Sequence, residues 1–274
     1  MKEKLPPVLF EHLRLNVADK EATAKWYVEN GGLEIIPTEN KDAVYVADED
    51  HHFMFEFSSI PGLKTNYADI DLDAFHIAYE GPKAIEAVAE RMLKNGATQL
   101  GEVSRNNVGD YVLNLKDING LNSQLIHRVD PFYPTPVKST IRFEHLAFNT
   151  PNQMQAALWY VEFMDLTIPW SKDIEKTRNM LRNYRVPYVG DVEQRMSLEL
   201  YSKELECSFY NLPHDVIHIA FNADEPEKLA KRMVLGGARQ VGEERIEANG
   251  DVVIDLYDPH GAPFRLIQRK KPIL

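Results

Sequence analysis

The chain has 274 residues, of which 44% are hydrophobic and 27% are charged, which is typical of a globular protein with room for two domains. Its net charge of -11 argues against a general nucleic-acid-binding surface, and no apolar run has the length of a membrane span. The single cysteine, Cys207, excludes an intramolecular disulfide and fits a reducing compartment, so we expect a cytoplasmic protein.

The first part of the chain predicts two successive βαβββ units. An alternating stretch over 9–17 predicts a strand, and a helix follows from the cap candidate Asp19 to the stop signal Gly31-Gly32. The remaining strands of this unit are predicted at 33–37, 43–47 and 52–58. In the second unit, a strand over 73–79 and a helix over 82–95 precede strands at 99–103, 110–116 and 121–127.

The second half of the chain repeats the first. Trp26-Tyr27-Val28-Glu29 recurs as Trp159-Tyr160-Val161-Glu162, and Asp117-Ile118-Asn119-Gly120 recurs as Asp258-Pro259-His260-Gly261. Between the halves, the proline-rich segment 131–140 predicts an extended linker. We therefore predict a first domain over 1–130, with units at 8–60 and 72–128, and a second over 141–274, with units at 141–203 and 215–269.

A short phrase with a histidine opens each of the four units. The four are Phe10-Glu11-His12-Leu13, Phe75-His76-Ile77-Ala78, Phe143-Glu144-His145-Leu146 and Ile217-His218-Ile219-Ala220. Because successive strand residues point to opposite faces, bulky neighbours of His76 should face the helix and His76 the concave side. Imidazole is the commonest protein ligand for divalent transition metals, so the repeat predicts a metal site.

Four such units, with an Asp-Pro-His-Gly turn before the last strand of the fourth, resemble the vicinal oxygen chelate superfamily. That superfamily includes glyoxalase I, extradiol dioxygenases and bleomycin resistance proteins. The resemblance implies an α+β fold in which the four units pair into two domains with curled mixed sheets. It also implies that each of two paired units supplies one metal ligand from its first strand and one from its last. The last-strand positions are Glu56, Gln124, Glu199 and Arg265.

The pairing of the units decides which of these side chains meet. Pairing within each half would give a site of His12, Glu56, His76 and Gln124. Crosswise pairing, as in some glyoxalases, would give His76, Gln124, His145 and Glu199. We expect one divalent ion, either Zn, Ni, Mn, Co or Fe(II). No GxGxxG or Walker motif is present, so no nucleotide cofactor is expected.

The superfamily most often has glutamate where this chain has Gln124 and Arg265, and Arg14 is a further unusual residue. A guanidinium only donates hydrogen bonds, so Arg265 cannot ligate a metal, and a second site should be compromised by an ion pair between Arg265 and Glu199. Alternatively, His145, Glu199 and His218 form a triad, with Arg265 as a substrate clamp. By strand parity Arg14 shares the concave face with His12, where it either binds a substrate oxyanion or pairs with Glu56.

These features favour a metal-dependent isomerase, epimerase or lyase that acts through an enediolate on a small α-hydroxycarbonyl or keto-sugar-like substrate. Gln124 cannot accept a proton at neutral pH, so Glu56 or Glu199 is the expected base. The alternatives are an Fe(II)-dependent extradiol-type dioxygenase and a metal-free protein that binds a small molecule or confers resistance. We expect a small-molecule substrate, no nucleic-acid or membrane partner, and a monomer or homodimer.

Overall fold

The computed structural model describes residues 5–63, 66–82, 85–132, 137, 141–167, 186–203 and 208–273. Cys207, most of the predicted linker and residues 168–185 lie outside these residues. The helices are α1 (Lys20–Gly31), α2 (Ile85–Lys94), α3 (Gln153–Met164) and α4 (Pro226–Leu235). The strands are β1 (Val8–Asn16), β2 (Glu34–Ile36), β3 (Ala43–Ala47), β4 (Met54–Ser58), β5 (Phe75–Glu80), β6 (Thr98–Arg105), β7 (Tyr111–Lys116), β8 (Asn122–His127), β9 (Arg142–Asn149), β10 (Tyr188–Gly190), β11 (Ser197–Tyr201), β12 (Ile217–Ala223), β13 (Arg239–Ile246), β14 (Val252–Tyr257) and β15 (Pro263–Gln268).

The predicted α+β fold class is confirmed. The two ends of α1 show why local sequence signals were sufficient to predict where this helix begins and ends. The Asp19 side chain accepts a hydrogen bond from the backbone N–H of Ala22 at 2.8 Å, which caps the first turn. Gly32 ends the helix in the left-handed conformation with φ of 72°, which a glycine adopts without steric cost. In the described part of the chain, no helix has both the length and the apolar character needed to cross a membrane.

The strands form two mixed sheets, and each sheet takes one unit from each half of the chain. The eight-stranded sheet has the order β13-β14-β15-β12-β1-β4-β3-β2, which joins unit one to unit four. The seven-stranded sheet has the order β10-β11-β9-β5-β8-β7-β6, which joins unit three to unit two. The sheets are therefore built by the crosswise alternative, and neither predicted domain contains a whole sheet. The boundary near 131–140 stays a prediction about the chain's organisation.

Each sheet is joined at its centre by two histidine-bearing strands that run antiparallel. In one sheet β1 pairs with β12, which sets Arg14 opposite His218. In the other β5 pairs with β9, which sets His76 opposite Ala147 and Ala78 opposite His145. Because opposed residues of a pair share a face, the histidines of the two strands lie on one side of the sheet.

The helices, unlike the strands, pack within each half. The indole of Trp26 in α1 donates to the carbonyl of Asn95 after α2 at 2.7 Å, and that of Trp159 in α3 donates to the carbonyl of Gly236 after α4 at 2.7 Å. Both tryptophans are buried, as expected for core residues. The repeated Trp-Tyr motif thus ties each half together, while the sheets tie the halves to each other.

One hydrophobic core lies behind both sheets. Phe55 of the eight-stranded sheet meets Phe143 of the seven-stranded sheet edge to face, with ring centroids 5.0 Å apart. Phe75, Ile77 and Tyr79 also belong to this core. The intervening His76 therefore points to the opposite, concave face, in agreement with the strand alternation.

A β-bulge precedes the histidine in both β1 and β9. The pairing skips Glu11 between Phe10 and His12, and it skips Glu144 between Phe143 and His145. One extra residue in a strand lets two successive side chains reach the same side of the sheet. Each phenylalanine consequently stays in the core, while the glutamate and the histidine contact each other.

A reciprocal pair of aspartates braces these bulges from the other sheet. Asp191, after β10, accepts from the backbone N–H of Phe10 at 3.0 Å, and Asp48, after β3, accepts from that of Phe143 at 3.0 Å. Burial is the largest cause that raises the pKa of each of these two carboxyls to about 6.

We expect this brace to make stability fall as the pH rises from 5 to 7. The folded-state pKa of Asp48 lies above the unfolded value, so folding is favoured at lower pH and the advantage is lost as the pH rises through about 6. When the pH rises from 5 to 7, the free energy of unfolding of Asp48→Asn should therefore increase by about 1 kcal/mol relative to that of the unsubstituted chain. Urea unfolding at both pH values measures this gain, with exposed Asp42→Asn as the control. An equal effect of pH on all three chains would contradict it.

Candidate metal centre

Three buried side chains converge on the concave face of the seven-stranded sheet. His76 comes from β5, His145 from β9 and Glu199 from β11, and each is 5% exposed or less. One possible ligand atom from each lies within 4.8 Å of the other two. Within the described residues, this is the one such group of three histidine, cysteine or acidic side chains.

The hydrogen bonds of the two histidines leave the same ring nitrogen available on each. His76 Nδ1 lies 2.9 Å from the carbonyl oxygen of Leu72, and His145 Nδ1 lies 2.8 Å from Glu144 Oε1. Both contacts are acceptors, so each Nδ1 donates and each Nε2 keeps a lone pair when the ring is neutral. Both Nε2 atoms are buried without a hydrogen-bond partner, although His145 Nε2 is only 3.0 Å from Glu199 Oε2.

A buried carboxylate and an arginine orient His145. Arg128 donates to both oxygens of Glu144, from Nε at 2.9 Å and from a terminal nitrogen at 2.5 Å. Its other terminal nitrogen lies 3.1 Å from Asp110 Oδ2, and its guanidinium stacks 3.6 Å over the Phe132 ring. Burial raises the pKa of Glu144, but Arg128 and His145 outweigh it and bring the pKa to about 2. This carboxylate–histidine arrangement is typical of metal centres.

Two tyrosines hold Glu199. Tyr188 donates to Glu199 Oε1, and Tyr201 donates to Glu199 Oε2 at 2.8 Å. Burial opposes ionisation of Glu199, but His145, His76 and the hydrogen bond from Tyr188 lower its pKa to about 2. The carboxylate is therefore ionised and fixed in one orientation.

The electrostatics of the two imidazoles differ. Burial, and after it the neighbouring His145, lowers the pKa of His76 to about 4, so this ring is neutral at pH 7. Burial also acts to lower the pKa of His145, but Glu199 and Glu144 reverse the direction and raise it. In the metal-free protein, these two carboxylates therefore favour the protonated form of His145, at the position where a cation would otherwise neutralise them.

Gln124 shares the concave face with this cluster. It lies on β8 opposite Ala78 of β5, and its amide nitrogen donates to Asn114 Oδ1 at 3.2 Å. Because this contact occupies the amide nitrogen, Oε1 is the end of Gln124 that remains suited to a cation.

The donor set fits a divalent transition metal. Two neutral imidazole nitrogens and one carboxylate suit zinc, iron, nickel or manganese, and Gln124, on the same face, would supply an amide oxygen of the type that the harder ions accept. Three preorganised ligands and a buried second layer of hydrogen bonds are what such a site requires.

The equivalent place on the eight-stranded sheet contains arginine in addition to histidine and glutamate. His12 Nε2 is 3.0 Å from Glu56 Oε2, and His12 Nδ1 is 3.0 Å from Glu11, as in the other site. Here, however, the guanidinium of Arg14 forms an ion pair with Glu56, which was one of the two expectations for Arg14. Its positive charge stands beside the carboxylate that a metal ion would otherwise neutralise.

The structure corrects the expectations about Arg265. It does not pair with Glu199, because the two residues lie in different sheets; instead it donates to Asp255 at 2.7 and 3.1 Å. The triad of His145, Glu199 and His218 is not formed for the same reason, since His218 lies beside His12 with ring centroids 5.6 Å apart. A clamp on a substrate at that triad is excluded with it.

The within-half ligand set is likewise not assembled. His12 and Glu56 belong to the eight-stranded sheet, whereas His76 and Gln124 belong to the seven-stranded sheet. Glu56, one of the two candidate bases, therefore stands in the arginine-containing site and not beside His76.

Solved structures share this architecture over almost the whole chain. A variant of glyoxalase I from Zea mays matches with a TM-score of 0.71 at 17% identity, and the match covers 95% of this chain and 92% of that one. The chain has the glyoxalase fold. Unsubstituted maize glyoxalase I matches with a TM-score of 0.69 at 17% identity, covering 95% of this chain and 92% of that one. A proposed dioxygenase from Bacillus subtilis matches with a TM-score of 0.64 at 13% identity, covering 98% of this chain and 88% of that one.

The resemblance to the vicinal oxygen chelate superfamily is thus confirmed at the level of the fold. No protein-family model and no curated protein matches the sequence. At these identities the glyoxalase fold says where a site lies and leaves the reaction open.

Sequence reasoning missed the residues that surround the ligands. Glu144 was visible in the Phe-Glu-His phrase of units one and three, and Asp110 lies in Gly109-Asp110-Tyr111-Val112, which recurs as Gly250-Asp251-Val252-Val253. Tyr188 and Tyr201 had no comparable signal, because their contacts depend on strand pairs that the sequence does not specify.

We expect the glyoxalase-fold chain to bind one equivalent of divalent metal, and His76→Ala to abolish it. His218→Ala is a matched control, because His218 is equally buried and also donates from Nδ1 to a carbonyl four residues earlier, that of His214, at 2.6 Å. Elemental analysis of protein purified without an affinity tag measures the stoichiometry. If only the His218 variant lost the metal, the ion would belong to the eight-stranded sheet and its assignment to His76 would be wrong.

Arg128→Met should weaken metal binding by about 10- to 100-fold, because it leaves Glu144 without its clamp and His145 without a fixed orientation. The corresponding arginine of the other sheet, Arg269, contacts Glu11 and Asp251, so Arg269→Met is its control. Competition with a fluorescent chelator gives both affinities. Equal metal affinities of the two variants would show that Arg128 does not affect the metal centre through Glu144 and His145.

Proposed function

We propose that the chain is a metal-dependent isomerase, epimerase or lyase for a small α-hydroxycarbonyl or keto-sugar-like substrate, acting at His76, His145 and Glu199. One observation carries the proposal: the buried Nε2 of His76, which has no hydrogen-bond partner, converges with His145 Nε2 and the ionised carboxylate of Glu199, which lie 3.0 Å apart. Such an arrangement is costly to bury unless a cation completes it.

A divalent ion in this centre would act as a Lewis acid toward a substrate with two adjacent oxygens. The protein's own contribution begins with charge. Two neutral imidazoles and one carboxylate leave part of the positive charge uncompensated, which favours a substrate that becomes anionic during the reaction. Gln124 adds no charge, so it preserves that excess where a glutamate would remove it.

We assign the proton transfer to Glu199. It is the carboxylate of the cluster, and it is the only one of the two expected bases on this sheet among the described residues. Tyr188 and Tyr201 keep it ionised but also reduce its basicity, so one donor has to be released before Glu199 accepts a proton. Tyr201 is the more exposed of the two, and we assign the release to it.

The experiment uses dihydroxyacetone, a small α-hydroxyketone, in deuterated water. The metal-loaded chain should exchange the hydrogens next to the carbonyl, and Glu199→Gln should slow this exchange by about 100-fold or more because the base is lost. Nuclear magnetic resonance measures the exchange, and exposed Glu193→Gln serves as the control. Exchange at the same rate in the Glu199 variant, with metal still bound, would contradict the assignment.

A second candidate is an Fe(II)-dependent dioxygenase. Two histidines and one carboxylate are the ligand set of many non-haem iron oxygenases, and His76, His145 and Glu199 form that set if Gln124 does not ligate. Consumption of oxygen by the iron-loaded chain with catechol, and no deuterium exchange, would favour this candidate. Absence of stoichiometric metal would leave the third hypothesis, a binding protein.

A further inference from the structure

A groove on the eight-stranded sheet has no role in the proposed reaction. It has a volume of about 950 Å³, at the upper end for small-molecule sites. Residues of the β2–β3 loop and of the β13–β14 loop both line it, although β2 and β13 are the opposite edges of the sheet. The sheet therefore curls until its two end loops close the groove from both sides.

The floor of the groove is basic. Arg14 of β1 and Arg265 of β15 lie there with side chains 15% and 8% exposed, and Arg245 of β13 joins them. Glu56 pairs with Arg14, while Asp255 receives hydrogen bonds from both Arg265 and Arg245. Three guanidinium groups, of which Arg245 is 46% exposed, thus share two carboxylates as direct partners, an excess of one positive charge before the acidic rim is counted.

Arg14 also keeps donor capacity that the protein does not use. Its contact with Glu56 is through one terminal nitrogen, and its Nε is buried without a hydrogen-bond partner. Arg265 already uses its Nε and one terminal nitrogen on Asp255, so an oxyanion between Arg14 and Arg265 would be held by their other terminal nitrogens.

The rim of the groove is acidic. Glu39 and Asp42 lie on the β2–β3 loop, Glu247 lies on the β13–β14 loop, and Asp215 precedes β12. Lys41 is the one lysine that lines the groove among the described residues. Together with the net charge of -11, this rim repels a dianion but attracts an ammonium group.

We propose that this groove is a second, metal-free site for a small ω-amino carboxylic acid. The carboxylate binds Arg14 and Arg265 at the floor, and the ammonium at the far end of the molecule faces the acidic rim. This site stands apart from the metal centre, because its arginines belong to the other sheet.

The test compares three probes of one chain length, 6-aminohexanoate, hexanoate and hexylamine, with the metal-loaded full chain by isothermal titration calorimetry. We expect saturable one-to-one binding of 6-aminohexanoate and at least about tenfold weaker binding of the other two, since each lacks one charged contact. Tighter binding of hexanoate or of inorganic phosphate would overturn the ammonium contact. No saturable binding of 6-aminohexanoate would overturn the site.

Variants separate the floor from the rim. Arg265→Gln should weaken 6-aminohexanoate and hexanoate alike, whereas Asp42→Asn with Glu247→Gln, on exposed loops, should weaken only 6-aminohexanoate. The loop variant keeps the test valid if Arg265→Gln does not fold, and Arg239→Gln, outside the groove, is the control. His76→Ala should bind 6-aminohexanoate unchanged, so failure of the metal centre would not be mistaken for failure of this site. Equal binding by the unsubstituted chain and both test variants would overturn the proposal.

Discussion

The antiparallel pairing of histidine-bearing strands from opposite halves is the contact on which the rest of the structure depends. It joins β1 to β12 and β5 to β9 at the centres of the two sheets. The two strands that pair at the centre of a sheet each contribute a histidine. The parallel strand next to each of them contributes the carboxylate or the residue that replaces it, so the central pairing fixes which side chains meet. A different pairing would leave the same side chains on concave faces but would bring different ones together.

The bulges in β1 and β9 add what regular strands cannot provide. A glutamate directly before a histidine would normally point to the opposite face, into the core, where an unpaired carboxylate is costly. The extra residue brings it to the histidine's own side, and an arginine from the last part of another unit neutralises it. The aspartates that accept the freed N–H groups come from the opposite sheet, so the shape of each site depends on contact between the two sheets.

The sequence was sufficient for the elements, the repeats and the face of the histidines, because periodicity and turn residues act locally. It left the pairing of units open, since both arrangements bury the same apolar faces and satisfy the same strand edges. The predicted partner of Arg265, Glu199, was wrong for a related reason. Asp255 lies on the neighbouring strand β14, and the antiparallel register places it directly opposite Arg265. Glu199 could not compete, because it lies in another sheet.

The pairing of units from opposite halves in each sheet also affects how such a chain can evolve. In a dimer of two identical halves, any residue gained in one site would appear in both, so an arginine that displaces a metal would disable every site at once. Fusion removes that constraint, because each site then draws on two units that differ. In this chain both arginines, Arg14 and Arg265, fall in one sheet, whereas the other has two histidines and Glu199 with Gln124 in the remaining ligand position. Duplication followed by fusion thus allows the two sites to change independently of each other.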